Sequence, residues 1–528
     1  MERGHDGDTT PVQQTSRCPT VAIGCGVVCG VDAIPVVIEA RMLAETSAPR
    51  ILGSVDQVVR EALHRVLSAF SSLGLPTPRG SPLFNFVPAD VRKAGSAFDL
   101  PMALALAAAS GILAPSRLDG LSAFGEVTLD GRIRSSVGIV PVTLSAVARG
   151  RPRMLASPDD AQRARLVPGA EPLAARDLCE AIAGLATGKL QSLPPSDGFA
   201  ALRDLCTALP PEDLADVRGH ETAKRALVAA AAGRHDLLFT GPPGSGKSAL
   251  LRRIGGILPP IDRSSALEVL KVRSAHGLEP AVETRGFTRG GRPYRAPHHT
   301  SSAASILGGG PEPRPGEVTL AHHGVLFLDE LPEFRREVLE GLRQPLEDRV
   351  VTIGRSRRTV TLPADFLLVA AMNPCPCGQA SDPQGRCSCS PGDRRRYLAR
   401  VSGPLFDRFD LRIELPSPDP SVFRAPRDPA GSTEALAARV ARASARQAER
   451  NPGHRANGRL EGRELEAVTE GPDSVTEELE RAMRVFHVSA RGRTRILRLA
   501  RTLADLEDRD ELRVEDVRLA VRLRGSDR

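Results

Sequence analysis

The chain of 528 residues is 41% apolar and 26% charged, a balance that fits about two to four globular domains and excludes a mini-protein that needs staples. Its apolar runs stop well short of the roughly 20 residues of a membrane span, and the polar start MERGHDGDTTPVQQTSR has no apolar stretch of a signal peptide, so a cytoplasmic protein with no membrane partner is expected. A net charge of +7 permits contact with phosphate backbones without arguing for it, while two tyrosines and no tryptophan exclude a broad aromatic stacking platform.

In chain order, residues 1–18 read as a disordered tail. Residues 19–188 alternate β-like runs (VAIGCGVVCGV, IPVVIEA) with the helical run DLPMALALAAASGIL, as in an α/β domain. Residues 189–211, with Pro194, Pro195, Pro210 and Pro211, read as a linker. A second α/β region, 212–416, carries the short strands HDLLFT, GVLFLDE and DFLLVAAMN between helical or polar segments. Residues 417–432 form another Pro- and Asp-rich linker, and 433–528 an Arg-, Ala- and Leu-rich helical domain.

The sharpest motif is GPPGSGKS: Gly241, Pro242, Pro243, Gly244, Ser245, Gly246, Lys247 and Ser248. It follows the strand LLFT and precedes the helical run ALLRRIGGI, the setting that a phosphate-binding P-loop requires. Its glycines let backbone N–H groups curl around phosphates, Lys247 can reach the β- and γ-phosphates of ATP, and Ser248 can ligate Mg²⁺. In GVLFLDELPEF a buried strand delivers two acids at its C-terminal end, where ligands sit in open α/β sheets. Asp329 would hold the Mg²⁺ through water, and Glu330 would orient and polarise the attacking water.

Between these motifs, residues 277–316 are rich in Gly, Pro and Arg. His298 and His299 are too close in sequence to face the same way on a strand, and no adjacent acid completes a metal set; local structural roles are expected. Residues 349–363, RVVTIGRSRRTVTLP, alternate like a hairpin around Gly354 with Arg355, Arg357 and Arg358 near its turn. Four of the nine cysteines cluster as Cys375, Cys377, Cys387 and Cys389. In a reducing compartment that pattern suits tetrahedral Zn²⁺, although C-x-C is tighter than the usual spacing; a metal-free thiol loop and a redox switch are the other readings.

Together with the N-terminal part, RPYRAPHHTSSAASILGGG, PRPGEVTLAHHGVLFLDELPEF, AAMNPCPCG, SGPLFDRFDL and SARGRTRILRLARTLADLE resemble, over nearly the whole chain, the magnesium-chelatase-like AAA+ ATPases of the ComM/YifB family. The resemblance implies an N-terminal Lon-protease-like α/β domain, a central AAA+ P-loop α/β domain with an insertion at helix 2, and a C-terminal helical lid. It implies ATP and Mg²⁺ as cofactors, a homo-oligomeric ring, expected to be a hexamer, and DNA as partner, with branch migration as the activity. By the same resemblance Asn373 is sensor 1 and Arg408 the arginine finger that reaches a neighbouring subunit's γ-phosphate. Arg491 is sensor 2, with Arg495 as substitute, and Val217 and Gly219 hold adenine. The hairpin 349–363 would point into a ring's pore.

Two departures qualify it. His220 stands where the family usually has glutamine, and AETSAPRILGSVDQVVREA replaces the GLPGF-like stretch. In Lon-type proteases a serine and a lysine form the catalytic dyad. The corresponding places here read Asp99-Leu100-Pro101-Met102 and Gly138-Ile139-Val140-Pro141, so proteolysis is not expected. A chelatase-type remodeller of a protein partner is the alternative to the DNA motor.

Overall fold

The computed structural model describes residues 20–43, 48–76, 80–194, 212–278, 287–288, 290–310, 313–355, 358–380, 386–417, 424 and 428–525. The expected tail, 195–211 of the first linker and most of the second linker lie outside them. The chain divides into two compact units, Met1–Ser196 and Asp197–Arg528. Among the described residues no helix is long and apolar enough to cross a membrane.

In the first unit one mixed sheet runs β10-β9-β8-β5-β1-β2-β4-β3. Its strands are β1 (Val21–Cys29), β2 (Asp32–Leu43), β3 (Arg50–Leu52), β4 (Ser81–Val87), β5 (Leu121–Ala123), β8 (Arg153–Ala156), β9 (Glu171–Ala174) and β10 (Gln191–Ser192); β6 (Glu126–Val127) and β7 (Ile133–Arg134) form a separate short hairpin. The helices are α1 (Gln57–Ser72), α2 (Asp99–Ala109), α3 (Ile139–Val147), α4 (Pro158–Ala164) and α5 (Leu178–Thr187). Helix α2 is apolar all round and buried over ten of its residues, Asp99 to Ala108, as a helix covered on every side must be. Asp99, where a Lon-type nucleophile would stand, is buried in a bidentate ion pair with Arg65, both N···O distances 2.8 Å. A buried carboxylate engaged in this way anchors the helix start and attacks nothing.

The second unit holds a five-stranded, all-parallel sheet in the order β12-β13-β16-β11-β17, formed by β11 (Leu237–Thr240), β12 (Tyr294–Arg295), β13 (Val325–Leu328), β16 (Leu367–Met372) and β17 (Leu411–Glu414). Continuous apolar strands such as VLFL and LLVAAM, buried at every position, are what a sheet covered on both faces demands. On one face lie α6 (Glu221–Gly233) and the C-terminal helices α11 (Thr433–Arg450), α12 (Asp473–Val485), α13 (Ala490–Leu506) and α14 (Val514–Arg524). Leu237 and Phe239 of the sheet share one apolar cluster with Val440, Leu479, Ile496 and Val517 of those helices. Further helices of this unit include α7 (Lys247–Arg252), α8 (Arg263–His276), α9 (Arg343–Asp348) and α10 (Pro391–Leu398).

The arginine-rich hairpin is present as β14 (Val350–Arg355) and β15 (Arg358–Pro363), but Gly354 is not its turn. Gly354 lies inside β14 opposite Thr359, and the ladder extends one pair further, to Arg355 and Arg358. Ser356 and Arg357 lie outside the described residues.

Candidate functional site

In a parallel sheet all the strands end on one edge, and the register decides which residues meet there. Thr240 of β11 is level with Met372 of β16, so Gly241 and Asn373 leave the sheet side by side; the Gly241 N–H donates to the Met372 carbonyl at 3.2 Å. Leu328 of β13 pairs with Ala370, which sets Asp329 and Glu330 on the same edge. The P-loop, the acid pair and Asn373 are therefore brought together by hydrogen-bond ladders.

Gly244 and Gly246 take positive φ values of 76° and 86°, which a side chain would strain, and turn the loop into the first turn of α7. A Cβ on Gly241 would come within 2.4 Å of the Leu415 carbonyl oxygen. Ser245 is buried and its Oγ has no hydrogen-bond partner among the described residues; Ser248 is half-buried in the first turn of α7. Lys247 is buried and its ammonium donates to the carbonyls of Gly241 and Pro242, both at 2.8 Å. Burial pushes that ammonium below its usual range, and the Asp329 carboxylate opposes the shift. Here the lysine folds back on its own loop, the acceptors that phosphate oxygens would replace. Val217 and Gly219 lie half-buried just before α6. His220 approaches the loop's end, its Nε2 3.9 Å from where a Cβ on Gly246 would be, and burial lowers its basicity.

The histidine pair has a neighbour that the sequence did not place beside it. His298 and His299 lie beyond the end of β12, in no strand, and their rings stack at 4.1 Å with a tilt of 33°. An acid is present as well: His299 Nδ1 is 3.3 Å from Glu330 Oε2, and the ring's edge meets Phe334 at 6.4 Å. The signal lies in the register. Tyr294 pairs with Val325 and Arg295 with Leu326, and the same offset carried four residues on matches His299 to Glu330.

Arg408 lies at the end of the turn after Gly403–Phe406, and its Nη2 is 2.5 Å from Glu347 Oε2 on α9. Arg491, exposed in the first turn of α13, lies 3.9 Å from the other oxygen of Glu347. The two predicted phosphate contacts thus converge on one carboxylate that the sequence did not single out. Arg495 is unsuited to the substitute role: it is buried and paired with Asp410 at 3.3 Å, and His235 approaches the same carboxylate at 3.5 Å.

All four clustered cysteine sulfurs lie within 4.8 Å of one another, Cys375 buried and the others half-buried. Sγ···Sγ distances of 3.4, 3.7 and 3.5 Å among Cys375, Cys377 and Cys387 are close to the roughly 3.8 Å edge of a tetrahedron with 2.3 Å Zn–S arms. The donors therefore fit Zn²⁺. Burial pushes the Cys375 thiol up to about 12, whereas the Gln379 backbone N–H draws Cys377 down to about 6.

A second group, Glu268, His322 and His323, also has metal-ligand proximity. Its chemistry is that of a hydrogen-bonded cluster. His322 Nδ1 accepts from the Asp365 N–H at 3.0 Å, which leaves its proton on Nε2 to donate to Glu268 at 2.8 Å.

Three family profiles match the chain: "Magnesium chelatase, subunit ChlI" over residues 213–422, "Subunit ChlI of Mg-chelatase" over 38–160, and "Magnesium chelatase, subunit ChlI C-terminal" over 430–524. The YifB protein of Salmonella typhimurium (strain LT2) is 37% identical over 499 residues, 94% of this chain and 96% of its own length. The competence protein ComM of Haemophilus influenzae (strain Rd) is 36% identical over 491 residues, 92% and 93% of the two chains. Lon protease 2 of Bacillus subtilis (strain 168) is 28% identical over 183 residues, 30% of this chain and 32% of its own.

Proposed function

Since the chain belongs to the magnesium-chelatase-like AAA+ ATPase family that includes YifB and ComM, we propose that it is an ATP-driven ring motor acting on DNA, with branch migration as its task. The observation that carries the ATPase part is the shared sheet edge on which the P-loop, Asp329, Glu330 and Asn373 emerge side by side. In this reading the P-loop N–H groups and Lys247 bind the ATP phosphates, and Ser248 and Asp329 hold Mg²⁺. Glu330 orients the attacking water and accepts its proton, while Asn373 fixes that water against the γ-phosphate. Val217 and Gly219 border the adenine.

Arg408 and Arg491, drawn together at Glu347, would serve the nucleotide of the next subunit in a ring, expected to be a hexamer. The hairpin 349–363, with Arg355, Arg357 and Arg358, supplies a sequence-independent grip on phosphates. Support for DNA comes from the likeness to ComM, a competence protein. The cysteine cluster holds a structural zinc in this reading, and peptide cleavage is not proposed because Asp99 occupies the nucleophile's place.

The test is the ATPase rate with and without forked or three-stranded DNA at low salt, with Lys247→Ala and Glu330→Gln as inactive controls. Stimulation and strand displacement are expected. An ATPase indifferent to DNA would sink the DNA motor and leave the chelatase-type remodeller of a protein partner, which the three chelatase profiles favour.

A further inference from the structure

The segment that carries the four cysteines, NPCPCGQASDPQGRCSCS, is almost devoid of large apolar side chains. Ordering each backbone residue costs on the order of 1 to 2 kcal/mol, and burial of apolar groups cannot offset that here. Yet the segment and the helix that follows it reach the nucleotide site and its surroundings at three places. Gly378 is buried against Pro243 of the P-loop: a Cβ there would lie 2.4 Å from the proline Cδ, and its φ of +77° belongs to glycine. The Gly378 N–H donates to the Cys375 carbonyl at 2.9 Å, which fixes the glycine relative to the one fully buried cysteine, two residues after Asn373.

At the other end, Ser390 follows Cys389 directly and caps α10 in a reciprocal box with Asp393. Tyr397 of that helix lies beside the backbone of Asn373, which partly opposes the rise that burial gives its hydroxyl. Just beyond it, Arg400 donates to Glu333 at 2.9 Å, three residues after Glu330.

We propose that zinc bound by Cys375, Cys377, Cys387 and Cys389 sets the affinity of the ATP site, by holding Gly378 under Pro243 and α10 against Asn373. This rests on reading residues 241–248 as an ATP site. A tetrathiolate centre closes the polar segment on itself, and its binding free energy replaces the core that the segment lacks. Without it, Pro243 loses its support and the P-loop its fixed curvature.

The experiment measures zinc content and the affinity for a fluorescent ATP analogue on one preparation of the full chain. Affinity is read as purified, after a zinc chelator with Mg²⁺ in excess, and after zinc is returned. About one zinc per chain is expected, with affinity about tenfold weaker on stripping and restored by zinc. Gly378→Ala should keep its zinc and lose affinity about tenfold, because the methyl group meets Pro243 directly. Cys389→Ser, at a half-buried position, should lose zinc and affinity together without burying a hydroxyl as Cys375→Ser would. Lys247→Ala should bind no nucleotide yet carry full zinc.

Zinc below about 0.3 per chain overturns the proposal. So does an affinity that stripping changes by less than about twofold, and in that case the ATP site itself stands. If the zinc-loaded wild type binds no nucleotide, the ATP-site reading fails and this inference with it.

Discussion

Within the site, the residues that sequence alone made legible are those whose meaning is local. The P-loop can be read because its glycines, lysine and serine must follow one another within a single turn, and Asp329 and Glu330 because they close an apolar strand. His299 and Glu347 could not be read, because each acts on a residue distant in the chain, His299 on Glu330 and Glu347 on Arg408 and Arg491. The histidine's Nδ1 lies 3.3 Å from one oxygen of the residue proposed to orient water, which suits a positioning role in the proposed reading. His299→Ala should lower kcat about ten- to a hundredfold while the affinity for ATP stays put, and His299→Asn should recover part of the loss. Single-turnover hydrolysis beside nucleotide binding checks this. In the proposed reading Glu347 competes with phosphate for both arginines. Glu347→Ala should raise the ATPase rate at low chain concentration about fivefold, the factor that about 1 kcal/mol of ion pairing gives. A rate titration against chain concentration reads the effect.

Elements were legible where their apolar period was clean. The strands LLFT, VLFL and LLVAAM form as their continuous apolar runs predict, with ends that differ by a residue or two. The hairpin is present but its centre was misplaced, because Gly354, a turn signal, is tolerated inside a two-stranded ladder. Helix α8 begins on Asp262, whose carboxylate accepts from the Ser265 N–H at 2.9 Å and from the Ser264 and Ser265 hydroxyls at 2.6 Å. Burial alone would raise that carboxyl, and these donors more than offset it, holding it at about 2. Asp262→Ala should cost about 1 kcal/mol in denaturant unfolding at neutral pH. A carboxyl depressed on folding stabilises above its unfolded value near 3.9, so the difference from wild type should shrink as pH falls from about 4 through about 2.

For the whole molecule, the C-terminal helices looked separate in sequence because a Pro- and Asp-rich stretch precedes them. They nevertheless share one apolar cluster with β11 and α6 inside the second unit, because each alone has an amphipathic face that only the sheet can cover. Arg491 is thereby carried to the same carboxylate as Arg408. If both arginines serve a neighbour, a mixture of Arg408→Ala and Lys247→Ala chains should regain ATPase activity that neither has alone, because some interfaces pair an intact P-loop with an intact arginine. Failure to regain any activity across mixing ratios would count against a shared site.

The pairing of Tyr294 with Val325 and Arg295 with Leu326 has an evolutionary consequence. The ladder sets the two strands level and ends at Arg295 and Leu326, and the chain beyond each strand brings His299 and Glu330 within 3.3 Å. The span between 300 and 316 is packed as well: Ile306 is buried in the core, Gly309 and Arg314 bond each other, and Gly316 lies so close to Gly308 that a Cβ there would meet its nitrogen at 2.3 Å, so insertions there should be poorly tolerated. That span should therefore be held to its length as closely as the strands beside it are held to their register.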